Sequence, residues 1–224
     1  ADFDTADIRP ASGRWQAVAK TSYGAIGPSV VDPRTGVILD ADIGIDANNV
    51  RVVRNLRHEY LPQRPDAFAQ AQALQTTAHD ERNCTYEEAA TEEAAFALSL
   101  LEARGELGAD SPDVDRFVDM FLKNVTMHEV GHTLGLRHNF RASTVYNDAQ
   151  LEDASFTATH GISGSVMEYN PWNLAVKGEK QGEYAMSTLG PYDYWAIEYA
   201  YKTIAAEQEP AELAKIGARS SETE

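Results

Sequence analysis

The run His128-Glu129-Val130-Gly131-His132-Thr133-Leu134-Gly135-Leu136-Arg137-His138 constrains this chain more than any other feature. On a helix, two imidazoles four residues apart leave the same face one turn apart. Glu129 sits one step round, where its carboxylate reaches a water held by a metal on that face. His138 cannot join them if the helix runs on. Six more residues carry it roughly 9 Å along the axis and onto the wrong side. Gly135 supplies the remedy, because glycine accepts the left-handed conformation that ends a helix and turns the chain back. The spacing therefore predicts a zinc site with His128, His132 and His138 as ligands, Glu129 as base and Gly135 as hinge. The competing explanation is a buried helix end whose histidines are merely satisfied. It would require four of the six residues His128, Glu129, His132, Arg137, His138 and Asn139 to be buried or paired, which is expensive for a core.

The segment before the run is built to hold it rigid. Ser111-Pro112 predicts an N-cap followed by proline at the first helical position. Val114, Phe117, Val118, Phe121, Leu122 and Val125 then recur at helical spacing into His128 and His132. Further upstream, 87–102 is rich in Ala, Glu and Leu and reads as a helix broken at Gly105. A further helix is expected near 66–76. Asp32-Pro33-Arg34-Thr35-Gly36 is a turn between a short strand at 29–31 and a second at 37–45. In the latter, Val37, Leu39, Ala41, Ile43 and Ile45 alternate with mostly polar residues, predicting one apolar face. This strand is also a candidate edge onto which an extended peptide adds. Asp40, Asp42 and Asp46 hint at calcium, but Gly44 is misplaced for a calcium loop, so solvent-facing carboxylates are the preferred reading. Residues 139–190 show little periodicity, as functional or disordered loops do. A helix opens at Gly190-Pro191 and runs to about 203, and 206–224 reads as a polar, acidic tail with a weak helix around 210–216.

Charge and cysteine usage narrow the function. The chain carries 35 acidic against 19 basic residues, a formal charge of −16, which disfavours nucleic acid and anionic membranes as partners. There is no run of about 18 apolar residues, so no membrane insertion is expected. Cys84 is the only cysteine, so no intrachain disulfide forms. A small, partly buried loop residue is the preferred reading of Cys84 over a thiolate latch on the zinc. His58 and His79 read as surface residues, and His160 as a residue near the site that is not a ligand.

The eleven-residue run resembles the metzincin zinc-peptidase pattern HExxHxxGxxH, with all five fixed residues present. Downstream, Ser165-Val166-Met167-Glu168-Tyr169 resembles the methionine turn of those enzymes, with Met186 in a less fitting setting as the one rival. The resemblance implies an α+β fold: a metzincin-like catalytic domain with a small twisted mixed sheet, an active-site helix and a C-terminal helix. It implies that Met167 supports the histidines and that Tyr169 stabilises the oxyanion, as in astacin-like and serralysin-like enzymes. It also implies that Asp193 braces the methionine turn. Residues 1–205 form the catalytic domain in this reading. After the third histidine, Asn139-Phe140 departs from the best-known metzincin families. Together with Val30-Val31-Asp32-Pro33-Arg34-Thr35-Gly36 and Gly190-Pro191-Tyr192-Asp193, it resembles a bacterial family of large, envelope-targeted zinc metalloproteinases. That implies a piece of a longer protein located outside the cell or in the cell envelope. The expected activity is that of a zinc endopeptidase acting on proteins or peptides, in which Glu129 assists attack by zinc-bound water. A metzincin-fold zinc-binding recognition module without turnover is the first alternative, and a zinc exopeptidase or amidase the second. Residues 170–174 are expected to wall the pocket, and an accessory zinc or calcium site stays open.

Overall fold

The computed structural model describes residues 11–16, 25–47, 84–108, 111 and 113–221. The helix expected at 66–76 and the histidines at 58 and 79 lie outside them. The fold is α+β, as expected, and the chain divides into two compact units, Ala1–Gly135 and Leu136–Glu224.

The first unit holds a small mixed sheet. Strand β4 (Ile38–Asp46) lies at its centre. Strand β1 (Ser12–Gln16) runs parallel to it, with Ser12 opposite Asp42 and Gln16 opposite Asp46. On the other flank, β2 (Ala25–Ile26) and β3 (Ser29–Val31) pair antiparallel to β4. The turn at 32–36 closes the β3–β4 hairpin as expected, with the Gly36 N–H donating to the Asp32 carbonyl at 2.8 Å.

Two expectations for this strand are corrected by its position. It is a central strand rather than a peptide-accepting edge, since β2 and β3 cover one flank and β1 much of the other. Its aspartates are not a solvent-facing row either. Asp42 accepts from the Ser12 N–H at 3.1 Å and hydroxyl at 2.5 Å and pairs with Arg14, while Asp46 is buried. Leu39, assigned to the apolar face, is exposed. A strand flanked on both sides takes its burial from its neighbours rather than from its own alternation.

Two helices complete this unit. Helix α1 (Tyr86–Ala103) buries Ala90, Ala94, Ala97 and Leu101 at a three-and-four spacing, and it packs on α2. Helix α2 (Asp113–Thr133) begins where the Ser111 hydroxyl accepts from the Asp113 N–H at 3.2 Å. Asp113 and Asp115 lie in its first turn, where carboxylates favour the helix dipole. Phe117, Val118, Phe121 and Val125 are each at most 3% exposed, so the predicted stripe is the buried one.

In the second unit, 136–190 is ordered by polar bonds rather than by an apolar stripe. Short helices α3 (Asp148–Leu151) and α4 (Ala154–His160) are capped by Asn147 and Asp153. The Asn173 amide donates to the carbonyls of Leu151 and Glu183, and the Gln181 amide to those of Asn173 and Gly182. Helix α5 (Pro191–Tyr201) follows, then α6 (Glu209–Ala218). The weak helix expected near 210–216 is longer than its sequence signal and is packed. The Trp195 indole donates to the Ile216 carbonyl at 2.8 Å, Ile216 is 3% exposed, and Arg219 pairs with Glu198. Among the described residues, no helix is long and apolar enough to cross a membrane.

Candidate metal centre

The apolar stripe of α2 carries the first half of the site. Phe121 and Val125 are fully buried, and one turn on so are His128 and Glu129, all 0% exposed. His128 and His132 meet edge to face with ring centroids 4.8 Å apart, as i and i+4 neighbours do. The Tyr86 ring stacks on His128 at 4.2 Å, and its hydroxyl accepts from the Asn124 amide at 2.5 Å. The first turn of α1 is thereby fixed against the ligand face of α2. Two residues ahead of Tyr86, the Cys84 sulfur lies 3.4 Å from Nε2 of His128. The link between β2 and β3 passes so close that a Cβ on Gly27 would stand 2.3 Å from the Glu129 carbonyl oxygen. Only glycine permits that approach.

Helix α2 then stops. The N–H of Leu134 is shared between the carbonyls of Val130 and Gly131, the Gly135 N–H donates to His132 at 2.9 Å, and Gly135 has φ 82°. This is the left-handed turn the spacing requires. His138 follows three residues later. Cys84, His128, His132 and His138 each offer one ligand atom, and these atoms all lie within 4.8 Å of one another. Three imidazoles and a thiol are the nitrogen and sulfur donors that zinc takes, so the residues fit that metal.

Beyond His138, the chain folds onto a turn containing Met167. The Asn139 N–H donates to the Met167 carbonyl at 3.0 Å, and Met167 itself is 0% exposed. Asp193, in the first turn of α5, organises that turn. It accepts from the Ser165 hydroxyl at 2.6 Å, the Val166 N–H at 2.9 Å and the Gly190 N–H at 2.8 Å. Ser165 in turn accepts from the Met167 N–H at 3.0 Å. Burial pushes the Asp193 carboxyl above its ordinary range, while the Ser165 hydroxyl and the two N–H groups pull it back. Glu168 is also buried, accepting from the Ser143 and Tyr169 N–H groups. The Tyr169 ring meets His138 edge to face at 4.8 Å, and Phe140 meets both rings.

The structure thus gathers the three histidines, with Glu129 beside the first on α2. It brings Tyr169 to His138 and Asp193 to the Met167 turn. His160 stays apart, stacked on Phe156 at 4.3 Å, as the sequence reading preferred. Trp172, expected with its neighbours to wall the pocket, is buried at 7% exposure. Cys84 is the departure. It is half-buried as expected, but its sulfur lies among the histidine donor atoms rather than apart in a bland loop. Tyr86, Asn124 and Glu168 were missed as well. Asn124 did leave a signal: it is a polar residue on the apolar stripe, one turn before His128, where burial demands a partner.

Among known proteins, residues 110–224, just over half of the chain, match a family model described as Met-zincin. No curated protein and no solved structure matches the chain.

Proposed function

The chain belongs to the Met-zincin family, and on that premise we propose that it is a zinc-dependent endopeptidase. The observation that carries the reading is the convergence of His128, His132 and His138, with Glu129 on the same helix as the first two. The three histidines would hold zinc, which supplies Lewis acidity for activating water and polarising a peptide carbonyl. The remaining work falls to the chain's own residues. A Glu129 carboxylate oxygen takes a proton from the attacking water. As the carbon–nitrogen bond breaks, it returns that proton to the amide nitrogen, which leaves as an amine. The Tyr169 phenol donates a hydrogen bond to the oxygen that gains charge in the transition state, a role supported by the packing of its ring on His138. The buried Met167 turn acts as the methionine turn of the family, with Asp193 as its brace and Gly135 as the hinge that delivers His138. The substrate is a protein or peptide, and its setting is the cell envelope or the extracellular space.

Glu129→Ala tests the mechanism. The variant retains its metal and cleaves a fluorogenic peptide library ~10²–10⁴-fold more slowly than wild type, the usual worth of a positioned base. Equal rates in the two proteins remove Glu129 from the mechanism. One observation favours a second reading, a zinc-binding recognition module without turnover: Cys84 brings the donors to four, and closed four-ligand sets are the mark of structural zinc. Silence of both wild type and variant with zinc bound selects the module. Product masses separate internal cuts from exopeptidase or amidase trimming.

A further inference from the structure

One donor in the ligand group has no part in the proposed hydrolysis. We propose that Cys84 is a fourth protein ligand, one that closes the metal site and leaves it when substrate enters. The proposal rests on the reading of the three histidines as zinc ligands. Two donors on one tetrahedral zinc, with Zn–S ~2.3 Å and Zn–N ~2.0–2.1 Å, stand about 3.6 Å apart. The Cys84 sulfur is 3.4 Å from Nε2 of His128, the nitrogen its ring offers on that side. The sulfur also lies within 4.8 Å of the donor atoms of His132 and His138, so it faces the whole set rather than one ring.

Its position is built. Tyr86, 1% exposed, stacks on His128 and is held by Asn124 from one turn earlier on α2, so the head of α1 carries Cys84 to the ligands. Cys84 itself precedes the first turn of α1. Rotation about the cysteine Cα–Cβ bond withdraws the sulfur with no helix displaced, whereas His128 and His132 sit on α2, whose face toward the core is buried. The exchange is a ligand substitution. The metal–sulfur bond breaks, the thiolate leaves with its electron pair, an oxygen of water or substrate takes the position, and no oxidation state changes.

The protein loaded with cobalt(II) in place of zinc tests this without reference to activity. Wild type shows the near-ultraviolet thiolate-to-cobalt charge-transfer band, and Cys84→Ala loses it while still binding cobalt. The chain has a single cysteine, so the band has one possible source. Iodoacetamide gives a second measurement on unaltered protein, which decides the matter if the variant fails to fold. Alkylation is slow with zinc bound and becomes fast after a chelator removes it. Absence of the band, or alkylation indifferent to metal, overturns the proposal. Cys84→Ala also cleaves peptides faster than wild type, because its fourth position needs no vacating, and equal rates overturn the closure. A band in wild type with no cleavage by either protein leaves the sulfur ligand standing and defeats the hydrolase reading. Cleavage without a band does the reverse.

Discussion

At Asp193 a single carboxylate answers three donors, the Ser165 hydroxyl and the N–H groups of Val166 and Gly190, and the turn holding Met167 depends on it. Each donor stranded in Asp193→Ala costs ~1–3 kcal/mol, so that variant is severely destabilised. The pH dependence follows from the direction of its shift. The folded carboxyl titrates above its unfolded value of 3.8, so the folded chain binds this proton more tightly. Stability tied to Asp193 is therefore full below 3.8 and is lost as pH rises through the raised folded value. Urea midpoints across that window fall with pH more steeply in wild type than in Asp193→Asn. A steeper fall in the variant contradicts the assignment. At this scale the sequence was only partly legible. Asp193 was found through the resemblance of its helix to the C-terminal metzincin helix, whereas Tyr86 opens a helix, and Cys84 precedes one, whose neighbours show only once it is packed.

Among the elements, α2 is the one whose beginning and end both matter to the site. Its stripe buries the ligand face, and Gly135 stops it. A side chain at Gly135 would meet nothing within 4 Å, so the objection to substitution is its φ of 82° and not space. Gly135→Val forces a β-branched residue into the left-handed region, at ~1–2 kcal/mol or more, or lets α2 continue and carries His138 away. Zinc affinity measured by competition with a chelating dye falls in Gly135→Val and falls less in Gly135→Asn, since asparagine tolerates that conformation. Equal affinities for the two would mean that the turn does not deliver the ligand. The stretch 139–190 is the contrasting case. Its order comes from Asn173, Gln181, Asp153 and Asn147 bonding to backbone, and such bonds leave no periodic trace in a sequence.

For the whole molecule, metal binding and folding are one equilibrium. A ligand that binds only the folded chain adds about 2.7 kcal/mol at a hundredfold excess over its Kd. A chelator therefore lowers the Tm of the zinc-loaded protein, and the shift shrinks in His138→Ala. A Tm indifferent to chelation would mean that the four donors hold no metal.

The sequence by itself determined which histidines gather, the glutamate beside them, the helix that carries the first two and the turn at Gly135. Those features are local, since eleven consecutive residues and one helical stripe contain their whole geometry. Only the tertiary structure decided that β4 is a central strand, that Trp172 is buried, and that α6 packs through Trp195 and Ile216. It alone brought Cys84 to His128 across 44 residues of chain. Contacts of that kind depend on which surfaces meet, and a sequence read along its length carries no periodic signal for them.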